Sequence, residues 1–295
     1  MRKIIIDTDP GTDDAVALLT AKAYGLDIDT VISTYGNVSH GYTHKNLVNL
    51  NGLLEINANV ISGADKPIEG DCFTADYVHG KNGVGGVVLP DYPDNAACDD
   101  GTKLLYERIK QCKSVDYISL GPLTNLALLI TRFPDAEKHI NSLTIMGGGF
   151  SVYNIPHNAE YNIGCDPAAA KIVFSSNLNI TLVPLDVTHK ICLSSEEVGA
   201  ITENFTCGAG KMLADIMMYN YKTSVLKNDG GALIHDATAV MVYANPEKFS
   251  GIKTAVSVDG HGSTSRSGDG DVFVIFDADR AFVVDRLKKS YEILR

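Results

Sequence analysis

Apolar, largely β-branched runs alternate along this chain with stretches in which apolar residues recur every three or four positions. Residues 3–7 read as a buried strand, and residues 14–24 as a helix with an acidic first turn. A second strand is expected at 30–34 and a second helix at 40–57. Further strands are predicted at 115–120, 143–146 and 180–184, each beside a helical stretch. This alternation predicts an α/β fold: a single domain over residues 1–295, with a mainly parallel central sheet flanked by helices. Ligands in such sheets bind beyond the carboxyl ends of the strands. Three segments break the pattern and are expected to be loops: 80–86, with four glycines, 147–162 and 259–271.

Composition narrows the classes. With 295 residues, 45% of them hydrophobic, the chain can bury one large core. A formal net charge of −11 argues against non-specific nucleic-acid binding and against attraction to anionic membranes. The opening MRKIIIDTDP has too few apolar residues for a signal peptide, and no run is long enough to span a bilayer. The six cysteines (Cys72, Cys98, Cys112, Cys165, Cys192 and Cys207) show no C-x-x-C spacing. Reduced thiols and a cytoplasmic location are therefore expected, with neither a zinc site nor a disulfide framework.

The chemistry concentrates in DTDPGTDDAVAL. Asp7 and Asp9 close the first strand, and a period of two puts them on one side of it. Pro10-Gly11 makes a turn, and Asp13 and Asp14 open the helix. Carboxylates this close raise one another's pKa values unless a cation sits among them. A helix N-terminus contributes roughly 0.3–1 kcal/mol per charge, too little for the whole group. A hard divalent cation would resolve the repulsion, because carboxylate oxygens suit calcium or magnesium. A D-x-D pair before a Gly-Thr turn also fits a magnesium-dependent phosphatase of the haloacid-dehalogenase type, with Asp269 and Asp271 as its second acidic pair. That reading is the weaker one, since no Ser/Thr and Lys motifs of that type are evident. A binding protein that has kept such a pocket but does no chemistry is a further alternative.

Taken together, D-x-D-P-G-x-D-D-A, T-x-G-N at 34–37, His79-Gly80, LGPLTNLA at 120–127, A-E-Y-N-I ending the 154–163 stretch, Asp166-Pro167, PLDVTHK at 184–190 and His235-Asp236 form an ordered set. In that order the chain resembles the inosine–uridine-preferring nucleoside hydrolases over roughly residues 3–245. The resemblance implies hydrolysis of the N-glycosidic bond of pyrimidine or inosine-type ribonucleosides. It implies calcium, held by Asp9, Asp14, Asp236 and a backbone carbonyl placed at Leu120, with a calcium-bound water activated by Asp9 as general base. Asp13, Asn37, Asn154, Glu160 and Asn162 would clamp the ribose, and His79 would lie near the base or its loop. His235 would protonate or hydrogen-bond the leaving base, and Tyr219 and Tyr221 would either reach the base or pack. The family also implies a homo-oligomer, a dimer or a tetramer. The chain has no tryptophan, which excludes a purine sandwiched between indoles.

Overall fold

The run Ile4-Ile5-Ile6 is fully buried, and its side chains alternate between two cores on opposite faces of one sheet. A strand covered on both faces needs apolar residues at every position, which is why the pattern is continuous rather than alternating. The computed structural model describes residues 2–96, 100–227 and 229–295.

The first half runs β1 (Lys3–Thr8), α1 (Thr12–Ala23), β2 (Ile28–Ser33), α2 (His40–Leu53), β3 (Asn59–Ser62), α3 (Asp76–His79), α4 (Gly101–Cys112), β4 (Val115–Ser119), α5 (Thr124–Arg132) and β5 (Ile140–Met146). The second half runs α6 (Tyr161–Cys165), α7 (Pro167–Phe174), β6 (Ile180–Val183), α8 (Leu185–Thr188), β7 (Cys192–Leu193), α9 (Ser195–Thr202), α10 (Gly208–Leu226), β8 (Ala232–Leu233), α11 (Asp236–Ala244), β9 (Phe249–Val258), β10 (Thr264–Ala278) and α12 (Arg280–Glu292). The main sheet has eight strands in the order β3-β2-β1-β4-β5-β6-β10-β9, all parallel except the edge strand β9. Helices α1, α10, α11 and α12 pack together on one face, and α4, α5 and α7 on the other. The strand order reverses direction between β1 and β4. Loops leaving adjacent strands there diverge to opposite faces and open a crevice at the carboxyl ends.

The expected single α/β layer structure is present, with three differences in detail. Helix α2 stops at Leu53 rather than at 57, because Glu55 and Asn57 take left-handed backbone conformations that leave the helix. Strand β3 escapes the sequence pattern because it is a four-residue edge. The segment 259–271 is not a loop: most of it forms β10, hairpin-paired with β9, and only 259–263 turns. Residues 265–269 are exposed on both faces, so no apolar alternation marks that arm as a strand. Asp259 holds the turn by accepting the His261 and Ser263 amides at 2.8 and 3.0 Å. Asp269 and Asp271 therefore stand exposed on a hairpin.

Cys98 lies outside the described residues; Cys72, Cys112, Cys165, Cys192 and Cys207 are free thiols. Among the described residues no helix is long and apolar enough to cross a membrane.

Asp7 is fully buried on β1, where it accepts hydrogen bonds from the Tyr117 hydroxyl at 2.7 Å and the Asn125 amide at 2.9 Å. Burial pushes its carboxyl up to about 7, and these two donors act in the opposite direction. Because its folded pKa lies above the unfolded value of 3.8, Asp7 costs stability progressively as pH rises from there to about 7, and the cost is complete above that. Tyr117→Phe is expected to destabilise the protein by about 1–3 kcal/mol, with a larger loss near pH 8.5, where Asp7 is ionised, than near pH 5.5. Urea unfolding at the two pH values checks this; equal losses would show that Asp7 keeps one charge state throughout.

Candidate active site

Beyond the end of β1 the chain turns through Pro10-Gly11 into α1, and α11 brings Asp236 alongside. Asp13, Asp14 and Asp236 each place a carboxylate oxygen within 4.8 Å of the others. Asp9, Asp14 and Asp236 are buried, and Asp13 is half-buried. Burial first, and then the charge of their neighbours, pushes three of these carboxyls up, Asp14 to about 6 and Asp9 and Asp236 well above the ordinary range; burial alone raises Asp13, against its hydrogen bonds.

Their hydrogen bonding is uneven. Asp14 is the most heavily engaged: it accepts from the Thr8 hydroxyl, from the Gly11 amide at 2.9 Å and from the Asn37 side chain at 2.8 Å, which leaves one lone pair of its carboxylate open. Asp9 takes the Asn37 backbone amide on Oδ2 at 2.8 Å, while its Oδ1 is buried without a partner. Asp13 Oδ1 is likewise buried and unpartnered. Two acceptor oxygens orphaned among repelling carboxylates fit a hard cation, which takes oxygen ligands and cancels the charge. Asp9 is wedged between two loops that need glycine. A methyl at Gly36, which also has a positive φ, would overlap the carboxylate, and one at Gly121 would meet Oδ1 at 2.6 Å.

The charge cluster is narrower than the four-aspartate run suggested. Asp7 points to Tyr117 and Asn125 within the sheet and takes no part in it. The run's period put Asp7 and Asp9 on one side, but Asp9 already lies past the strand's last residue, Thr8.

A cavity of about 330 Å³ opens over this floor. Asp13, Asn37, His79, Leu120, Asn154, Glu160, Asn162, His235 and Asp236 all line it and so converge on one space, whereas Asp9 and Asp14 are buried and do not line it. Several are occupied by the scaffold, however. Glu160 caps α6 and accepts the Asn162, Gly148 and Ile163 amides at 2.9, 2.9 and 3.1 Å; burial pushes its carboxyl up to about 7. Asn162 donates to the Leu120 and Met146 carbonyls at 2.8 and 3.1 Å, so the Leu120 oxygen already accepts one bond and has a second lone pair. Asn154 accepts the Tyr161 amide at 2.9 Å. Two further bonds fix the loop before Asn154: Asp186 accepts the Phe150 amide at 2.7 Å, and Thr264 on β10 donates to the Gly149 carbonyl at 2.6 Å.

Burial favours the neutral form of the two predicted site histidines. His79 Nδ1 accepts the Thr12 amide at 3.2 Å, and burial pushes the ring down to about 4. Its 3.7 Å approach to Asp13 is therefore a polar contact rather than an ion pair. His235 Nδ1 lies 2.7 Å from the Thr188 hydroxyl, and burial pushes it down to about 3. In that neutral form the ring can donate a hydrogen bond, one of the two roles expected for it.

Neither Tyr219 nor Tyr221 lines the cavity. Tyr219 packs on the glycine loop, where a methyl on Gly85 would meet its ring at 2.5 Å, and Tyr221 packs on the larger core. The residues of α10 that do line it are Asn220, Thr223 and Ser224, joined by Lys227 just past the helix end. Their i, i+3, i+4, i+7 spacing makes a polar stripe along the end of the helix. His189 and Asp229 complete that wall.

The sequence model for the inosine-uridine preferring nucleoside hydrolases matches residues 4–285. A pyrimidine-specific ribonucleoside hydrolase, RihA, of Shewanella woodyi is 33% identical over 99% of this chain and 98% of its own length. RihB of Shigella sonnei, also a pyrimidine-specific ribonucleoside hydrolase, is 34% identical over 86% of this chain and 80% of its own. Among solved structures, the purine-preferring ribonucleoside hydrolase from Gardnerella vaginalis superposes with a TM-score of 0.91 at 27% identity, over 99% of both chains.

Without a cation the buried carboxylates repel, which sets a stability test. In chelator, Asp236→Asn is expected to unfold at a higher temperature than wild type, because one of the repelling charges is gone. Saturating calcium should raise the wild-type midpoint and move the variant little. Differential scanning fluorimetry reads both; equal calcium responses would remove Asp236 from the cation site.

Proposed function

This chain belongs to the inosine-uridine preferring nucleoside hydrolase family and is a ribonucleoside-cleaving N-glycosyl hydrolase; from that premise we propose that it hydrolyses pyrimidine ribonucleosides to free base and ribose, with Asp9 as general base in a calcium-dependent site. The observation that carries the mechanism is the pair of buried, unpartnered oxygens, Asp9 Oδ1 and Asp13 Oδ1; Asp13 lines the cavity, and Asp9 is buried without lining it. The pyrimidine preference rests on whole-length similarity to the Shewanella woodyi protein.

Asp9, Asp13, Asp14 and Asp236, with the Leu120 carbonyl, would hold the calcium, which supplies charge neutralisation and makes water more acidic. Asp13 joins the ligand set proposed from the sequence because its oxygen shares the 4.8 Å cluster and lacks another partner. The phosphatase alternative loses its second acidic pair, since Asp269 and Asp271 do not line the cavity.

Cleavage of the C1′–N bond leaves positive charge on the anomeric carbon and ring oxygen. Carboxylates fixed by Asn37, Thr8 and the Gly11 amide are preorganised to stabilise that charge, more strongly in the transition state than before it. Asn37 orients Asp9 through its backbone amide while Oδ1 faces no competing donor, so Asp9 is set to take the proton of an attacking water. Asn154 and Asn162 provide amide groups on the cavity wall, and Glu160 fixes the helix start that carries Asn162. His235, neutral and anchored on Thr188, presents a hydrogen bond to the departing base.

Release of free base from uridine, cytidine, inosine and adenosine tests the proposal. Asp9→Ala is expected to lower kcat by about a thousandfold or more with an unchanged fold. Chelator should abolish turnover and calcium should restore it. No base released by calcium-replete wild type, or an Asp9→Ala variant as fast as wild type, would overturn the assignment.

A further inference from the structure

Breaking the C1′–N bond leaves an electron pair, and with it negative charge, on the base. The carboxylates of the floor answer the positive charge on the sugar and oppose the negative charge on the leaving group. Some group on the base side must meet that charge. The wall made by the end of α10 is furnished for it. Lys227 is the only lysine or arginine lining the cavity among the described residues. Its Nζ sits 4.8 Å from the centre of the Tyr77 ring, and Tyr77 lines the cavity too, so a cation–π contact tethers the lysine across the mouth. Two helical turns earlier on the same stripe, Asn220 Oδ1 is buried with no hydrogen-bond donor. A buried orphan acceptor calls for a donor from a ligand, and the edge N–H groups of a nucleobase supply one.

We propose that Lys227 is a catalytic residue on the leaving-group side, its ammonium protonating the departing base. This rests on the hydrolase reading and deepens it. As the C1′–N bond breaks, its electrons pass to the base nitrogen, and Lys227 Nζ–H gives a proton to the base, at the carbonyl beside that nitrogen in a pyrimidine. A water oxygen bonds to C1′ and its proton passes to Asp9. Asp9 then loses that proton to solvent and Lys227 regains one, so the net reaction is nucleoside plus water to base plus ribose. The assignment does not depend on the protonation of His235, which serves as a hydrogen-bond partner in either state. Lys227 is exposed at the cavity mouth, where a lysine can exchange its proton with solvent; partial burial of its amine lowers the pKa, while Asp229 nearby opposes the shift.

The test compares two leaving groups on calcium-replete enzyme: uridine, whose base departs poorly without a proton, and 4-nitrophenyl β-ribofuranoside, whose phenolate needs none. Turnover of both by wild type checks the hydrolase reading itself, and its absence would remove this proposal along with that one. Given turnover, Lys227→Gln is expected to lower kcat for uridine about 100-fold while changing the aryl riboside by less than about 3-fold. Lys227→Arg keeps the charge but cannot surrender a proton, so it should stay slow on uridine. Equal losses on the two substrates, undiminished uridine turnover in Lys227→Gln, or rescue by arginine would each overturn the assignment.

Discussion

Everything in this site follows from placing Asp9, Asp13, Asp14 and Asp236 together with no positively charged side chain among the described residues of the floor. Like charges in a poorly solvated space are costly, and the protein answers with dipoles rather than ion pairs. The Gly11 and Asn37 amides, the Thr8 hydroxyl and the Asn37 side chain turn toward Asp14 and Asp9. These donors fix the carboxylates without neutralising them. The cluster therefore stays a strong field aimed at the cavity, which suits both cation capture and a developing sugar cation.

The remaining walls are built by capping. Glu160 collects three amides, and Asp186 receives the amides of Phe150 and Ser151. The β9–β10 hairpin braces the same loop through Thr264 and through a bridge between Ala159 and Ser263. A long segment between β5 and α6 thus carries cavity residues on a backbone whose polar groups are satisfied from outside it.

The parallel core was legible because burial on both faces writes continuous apolar runs, as at Ile4–Ile6. The aspartates were legible because so dense a charge cluster has few structural uses. The hairpin at 259–271 was not, since an arm exposed on both faces carries no alternation. Asp7 was misplaced because strand periodicity holds only while the strand lasts, and Asp9 lies beyond its end. The base-side wall was missed for a different reason. Asn220 and Lys227 acquire meaning only once the end of α10 is known to face His235 across a cavity, a long-range relation that no local pattern encodes.

The two sides of the cavity differ in how they are anchored. The floor hangs from the ends of β1, β4 and α11 through interlocking bonds, so altering one member disturbs several others. The opposite wall is a row of side chains along the last two turns of one helix and the residues just past it. Single replacements on that helix can therefore reshape one wall of the cavity while the bonds that fix the carboxylates stay intact. The cavity thus joins a part that tolerates little change to a part that can be varied one side chain at a time.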